Sequence, residues 1–266
     1  QYKFDQGHLV GELAKRLFPG GIDIPPDGFM NNIRQTKKLL EQRKPLFEAG
    51  ILAEGIYSRV DILNPSNENS WDLIEVKSTT SVKDVHLDDV SFQKYCCEKL
   101  GLKIQKCLLM HINNQYVREG EIDPEKFFTI EDITEKVEES SNGIQDRIAD
   151  MLEVISATIC PEVTIGKHCS DPYDCALTEC WDFLPEYNIF NLYYGGKKSF
   201  NLFSDGIITI NEIPDSYKLN DKQRIQQASE INGKPHVDRE GISNFLGTLQ
   251  YPLYYLDFET ISPAVR

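Results

Sequence analysis

The chain has 266 residues and a mass of 30.4 kDa, with 28 Lys and Arg against 42 Asp and Glu, a net charge of −14 and a pI near 4.8. At 40% hydrophobic and 26% charged residues, the composition excludes a disordered chain and a fibrous repeat. The acidity argues against a broad nucleic-acid coat, but an active site of carboxylates and a metal is itself acidic and needs only a local basic patch. The length suits one large domain or two modest ones. No run approaches the roughly 18 apolar residues of a membrane span, and QYKFDQGH is no signal peptide, so a soluble cytoplasmic protein without membrane partners is expected. Seven Cys cannot all pair within one chain, which favours free thiols or metal ligands. Starting at Gln1 rather than Met, the sequence reads as an excerpt.

Leu9, Val10, Leu13 and Leu17 recur at helical spacing and predict a helix over 5–18, ended by Pro19-Gly20-Gly21. A second helix is predicted over 30–43. With Arg34, Lys37, Lys38, Arg43 and Lys44 it is the densest basic segment of the chain, either a solvated face or a surface that holds phosphates. From 46 to 63 the pattern turns to strands, a polar turn follows over 64–70, and 71–76 returns as a strand. A helix over 87–100, a strand over 104–112 and a charged helical stretch over 132–159 complete an α/β core around a central mixed sheet flanked by helices. Residues 187–235 are expected to be irregular, with a short helix near 221–230, and 187–250 to be linker-like. A helix over 239–249 then leads into an apolar strand, 251–260.

Asp61 ends one predicted strand and Glu75-Val76-Lys77 ends the next. Alternation puts Glu75 and Lys77 on one face with Val76 on the other. A hairpin turning near Ser66 sets Asp61 and Glu75 at comparable heights on neighbouring strands. Two carboxylates so placed can hold a hard divalent ion such as Mg²⁺ or Mn²⁺, to acidify a water and neutralise charge on a scissile phosphate. Lys77 beside them can orient the water or stabilise the transition state. The plainer alternative is a surface acid and an exposed Glu–Lys pair. Against it, a charge on an apolar, central strand is costly unless paired or bound to metal.

Asp61, Glu75-x-Lys77 and the helix bearing Gln93 resemble the PD-(D/E)XK nuclease superfamily in its RecB-like branch, and Gln6-Gly7-His8 fits the His of that branch's first helix. The resemblance implies a restriction-endonuclease-like core over 1–186. It implies a metal held by His8, Asp61, Glu75 and the carbonyl of Val76, a catalytic Lys77, and Gln93 assisting near the phosphate. The substrate implied is DNA, at single- or double-stranded ends. Cys97 stands where the branch carries a Tyr after that Gln. Read without the resemblance, His8 is a helix-surface or capping residue, with Glu12 one turn on as a possible support.

Cys169, Cys175 and Cys180 lie within a dozen residues of a polar segment, which suits a metal or cluster site better than a core. The patch resembles that of RecB-like nucleases carrying a [4Fe–4S] cluster, whose fourth Cys would precede Gln1. Cys96, Cys97 and Cys107 sit in apolar contexts and read as core. Asp257 and Glu259 share one face of the last predicted strand and resemble the first motif of DnaQ-type exonucleases. The combination resembles bacterial exonucleases that join a RecB-like domain to a downstream DnaQ-like one, with 251–266 as the first strand of the latter. The alternatives are an inactive nucleic-acid-binding scaffold of the same fold, and a metal- or redox-sensing interaction protein centred on the Cys patch.

Overall fold

The structure, a computed structural model, describes residues 2–25, 28–171, 173–260 and 263–265, with side chains from residue 5 onward. The chain divides into two compact units, residues 1–158 with 260–266, and residues 159–259.

The first unit is a mixed α/β layer. Helix α1 (Tyr2–Lys15) precedes a two-residue strand β1 (Ile22–Asp23), helix α2 (Phe29–Leu39) and the long meander β2 (Leu46–Ala53), β3 (Ile56–Asn67) and β4 (Ser70–Lys77). Helix α3 (Asp84–Lys99) crosses to β5 (Lys103–Ile112), and a short helix α4 (Pro124–Phe127) leads to β6 (Phe128–Asp132). The six strands lie in chain order, with β1–β2 and β4–β5 parallel and the other neighbours antiparallel. The hairpin turn falls later than the polar stretch suggested: β3 runs on to Asn67, with a register shift between Pro65 and Asn67. Ser66, Asn67 and Ser70 all reach Gln105 Oε1, at 2.9, 2.6 and 3.0 Å, so cross-strand hydrogen bonds hold these polar residues in the ladder.

Alternation along the strands gives the sheet two apolar faces. One packs Leu63, Leu73 and Leu109 against Val90, Cys96 and Cys97 of α3, and against helices α5 (Thr134–Ser140) and α6 (Ile144–Ser156). The other packs Phe47, Ile62, Ile74 and Met110 against Val10, Leu13 and Ala14 of α1. Each fully buried Leu or Ile there contributes about 1.5–3 kcal/mol. The single helical stretch expected over 132–159 is two helices, because Gly143 adopts φ +71 and breaks the run. The three apolar-context thiols are buried as expected.

The second unit has the short helix expected near 221–230 but departs from the otherwise irregular, linker-like chain expected around it. Helices α7 (Lys197–Ser204) and α8 (Asp221–Asn232) belong to it, and Ile189, Leu192, Leu202, Ile210, Ile213 and Leu219 form a small core of their own. Asn188, Ser199 and Gln223 satisfy backbone groups around that core, a role that polar residues in a Gly- and Asn-rich stretch do not announce. After helix α9 (Arg239–Gly247), the expected strand over 251–260 is absent. The segment is irregular and Tyr251, Tyr254, Tyr255 and Phe258 are more than four-fifths exposed. Strand propensity needs a partner ladder, and no strand pairs with this segment among the described residues. No helix among the described residues is long and apolar enough to cross a membrane.

Candidate active site

The register of β3 and β4 pairs Ile62 with Ile74 and Leu63 with Leu73, which puts Asp61 and Glu75 at the next rung. The Val76 amide donates to Asp61 Oδ2 at 2.9 Å, tying the acid's side chain to the neighbouring strand. Glu75 is only 5% exposed. Its Oε1 is 2.6 Å from Lys77 Nζ and its Oε2 accepts from Gln93 Nε2 at 2.8 Å. Asp61, Glu75, Lys77 and Gln93 therefore meet, from three elements.

Asp89, one turn before Gln93 on α3, completes the cluster. Lys77 Nζ lies 2.8 Å from Asp89 Oδ2, and Gln93 Nε2 also donates to Asp89 Oδ1 at 3.2 Å. Sequence reasoning missed Asp89, although its i, i+4 spacing from Gln93 places both on one helix face. The two carboxylates fix the orientation of the Gln93 amide, leaving its Oε1 buried without a hydrogen-bond partner among the described residues.

Burial and the neighbouring Glu75 hold the Asp61 carboxyl well above the usual carboxylate range, against the opposing Val76 amide. Burial also raises Glu75, with Lys77 opposing it and Asp89 adding to the rise. Partial burial pulls the Lys77 ammonium down, but Glu75 and Asp89 more than reverse this, so its pKa is raised and it holds its proton firmly. Lys77 acts here as a fixed positive charge, unsuited to the work of a general base.

These groups open onto a cleft of about 660 Å³ whose lining includes His8, Glu12 and Lys15 of α1, Asp23 of β1, Glu48, and Arg59. His8 is exposed on α1 and lines this cleft. Glu12 does not serve it as a support: its carboxylate lies 2.6 Å from Lys15 Nζ, which also pairs with Asp23 at 2.6 Å. Glu48 sits within β2 at φ +58, a left-handed conformation costly for a side chain with a Cβ, and its Oε2 lies 2.9 Å from Arg59 Nε. Phe47 pairs with Ile62 and Ala49 with Val60, so the distortion lies between them, opposite Asp61. Neither Glu48 nor Arg59 carried a signal in the strand pattern.

A hard divalent ion takes oxygen ligands, and two adjacent carboxylates whose pKa values are both raised, that of Asp61 partly by Glu75, are the setting such an ion relieves. The orphaned Gln93 Oε1 adds a polar atom beside them. In kind, the donors fit; in number they are two acids. No group of three or more His, Cys, Asp or Glu is arranged to hold a metal among the described residues, and this applies to His8 with Asp61 and Glu75 and to Cys169, Cys175 and Cys180 alike. Cys175 and Cys180 are exposed and Cys169 is half-buried, all as free thiols. Asp257 and Glu259 lie exposed in the irregular segment. No protein-family model, curated protein or solved structure matches this chain.

Proposed function

We propose that the cleft hydrolyses phosphodiester bonds of DNA, working from strand ends, and that the first unit is a restriction-endonuclease-like core of the RecB-like PD-(D/E)XK kind. The observation that carries this reading is the Lys77 ammonium set 2.6 Å from Glu75 and 2.8 Å from Asp89, with half-buried Asp61 on the adjacent strand. Asp61, Glu75 and the Val76 carbonyl would hold Mg²⁺ or Mn²⁺, with His8 as a further ligand from α1. The ion when bound supplies a Lewis acid that makes water nucleophilic and neutralises phosphate charge.

The chain's own groups do the rest. Lys77 offers its positive charge to the non-bridging oxygens, where negative charge grows in the transition state, and Asp89 and Glu75 hold it in place. Gln93 donates to both acids, fixing their rotamers. The Val76 amide holds one Asp61 oxygen and leaves the other for ligation.

A second reading has a specific observation in its favour. Lys77 is tied up between two carboxylates, and no three ligating side chains are grouped among the described residues, which suits a fold kept as a nucleic-acid-holding scaffold. End-labelled single- and double-stranded DNA with Mg²⁺ or Mn²⁺ separates the two. Cleavage by the wild-type chain, reduced about 100-fold or more in Asp61→Ala and Lys77→Ala, is the expected result. Equal cleavage by all three removes this assignment, and salt-sensitive binding without cleavage supports the scaffold.

A further inference from the structure

We propose that the outer face of α2 is a phosphate-contact strip that holds a single nucleic-acid strand beside the cleft. The inference rests on the hydrolytic reading only for where the strand leads. At 100° per residue, Met30, Arg34, Lys37 and Lys38 share the face opposite Asn32 and Thr36, the two buried residues of the helix. All four are exposed. The helix contains no acidic residue, and no ion pair engages Arg34, Lys37 or Lys38 among the described residues. In a chain of net charge −14, three exposed cations on one helix with no acid among them make a local positive patch. Lys37 and Lys38 suit the negative end of the helix dipole, but Arg34, mid-helix, gains nothing there.

Not every base of the segment belongs to the strip. The Arg43 guanidinium stacks 4.3 Å from the Trp71 ring and donates to the carbonyls of Asn67 and Ser70, so it staples the hairpin end.

The buried face of the same helix braces the cleft wall from behind. Asn32 Nδ2 donates to the carbonyls of Glu48, at 3.1 Å, and Pro25, at 3.4 Å, both cleft-lining residues. The Gly50 amide donates to Thr36 Oγ1 at 3.0 Å, and Gly50 pairs across the sheet with Arg59. Arg59 lines the cleft with half of its side chain exposed, and its ion pair with Glu48 engages Nε. Arg34, Lys37 and Lys38 on α2 and Arg59 at the cleft thus lie on elements joined through β2. Phe29, half-exposed in the first turn, lies on the Asn32 and Thr36 side of the helix and packs at 4.7 Å, tilted by 59°, against Tyr57, outside the strip. The strip thus supplies the charged track that follows a backbone in a sequence-tolerant single-strand site.

The test uses a fluorescent single-stranded oligonucleotide in EDTA, so that binding is read without hydrolysis, and follows affinity against salt. Each single-strand phosphate contact contributes about 0.7 to the slope of log K on log salt. Arg34→Glu/Lys38→Glu should therefore lower that slope by about 1.4, while the charge-matched Lys103→Glu/Lys136→Glu, at exposed sites on β5 and α5, should not. Equal slopes for the two doubles overturn the strip, as does preferential capture of phosphatidylserine vesicles over the oligonucleotide. A wild-type chain that binds in this way but never cleaves leaves the strip standing and removes only the hydrolytic reading.

Discussion

Asp61 is held where its charge costs the fold stability. Burial and Glu75 raise its pKa, so the unfolded chain ionises first as pH rises. The penalty is absent below the ordinary Asp value of about 3.9 and grows as pH climbs towards and through the raised folded value. Asp61→Asn keeps an acceptor for the Val76 amide and removes the charge. In EDTA it should be more stable than wild type by about 1 kcal/mol at pH 7, or ~3 °C in Tm, with the gap closing towards pH 4. Adding Mg²⁺ should raise the wild-type Tm and leave the Asn variant nearly unmoved, because only an ion bound to the native state stabilises it. Thermal melts across pH, with and without Mg²⁺, check both statements. A variant less stable than wild type at pH 7 would contradict the electrostatic account.

At the scale of elements, the cleft wall depends on how closely α2 approaches β2. Gly50 has no side chain because a Cβ there would collide with Oδ1 of Asn32 and come within 3.2 Å of the Tyr57 ring. Gly50→Ala must push α2 away or break the Asn32 bonds to Glu48 and Pro25, at a cost of about 2 kcal/mol. Denaturant unfolding measures it, and a change below a few tenths of a kcal/mol would mean the helix gives way freely. Glu48, two residues earlier, tests the strained turn of the same strand. Glu48→Gly relieves the left-handed conformation and loses the Arg59 pair, whereas Glu48→Val keeps the strain and loses the pair. The Gly variant should unfold at higher denaturant than the Val variant, by about 1 kcal/mol or more.

For the whole molecule, the seven thiols fall into two classes. Cys96, Cys97 and Cys107 are buried, and burial raises all three thiols, that of Cys107 to about 12. Cys160, Cys175 and Cys180 are exposed and Cys169 is half-buried. Native protein should therefore give four fast-reacting thiols with a disulfide reagent, and all seven after unfolding. Fewer than four in the native state, restored by a chelator, would reveal an ion on the second unit's Cys patch.

Most of the first unit was legible in the sequence. Helical spacing of Val10 and Leu13, alternation through β2 to β4 and the stop after α3 are local signals, set by which side chains must leave water together. Asp61, Glu75 and Lys77 were legible for the same reason, since strand alternation and a hairpin bring them together, whereas Gln93 was reached only through the family resemblance. What escaped was everything that depends on a distant partner. The apolar run 251–260 found no ladder to join among the described residues. Glu48 took a left-handed turn opposite Asp61, Asp89 closed on Lys77, and a polar stretch built the second unit's small core. Sequence by itself determined the elements and the acids at the strand ends, because those follow from local periodicity. Tertiary structure alone decided which charges are buried, which cations go unpaired and which segments find a neighbour, because burial and pairing are properties of residues far apart in the chain.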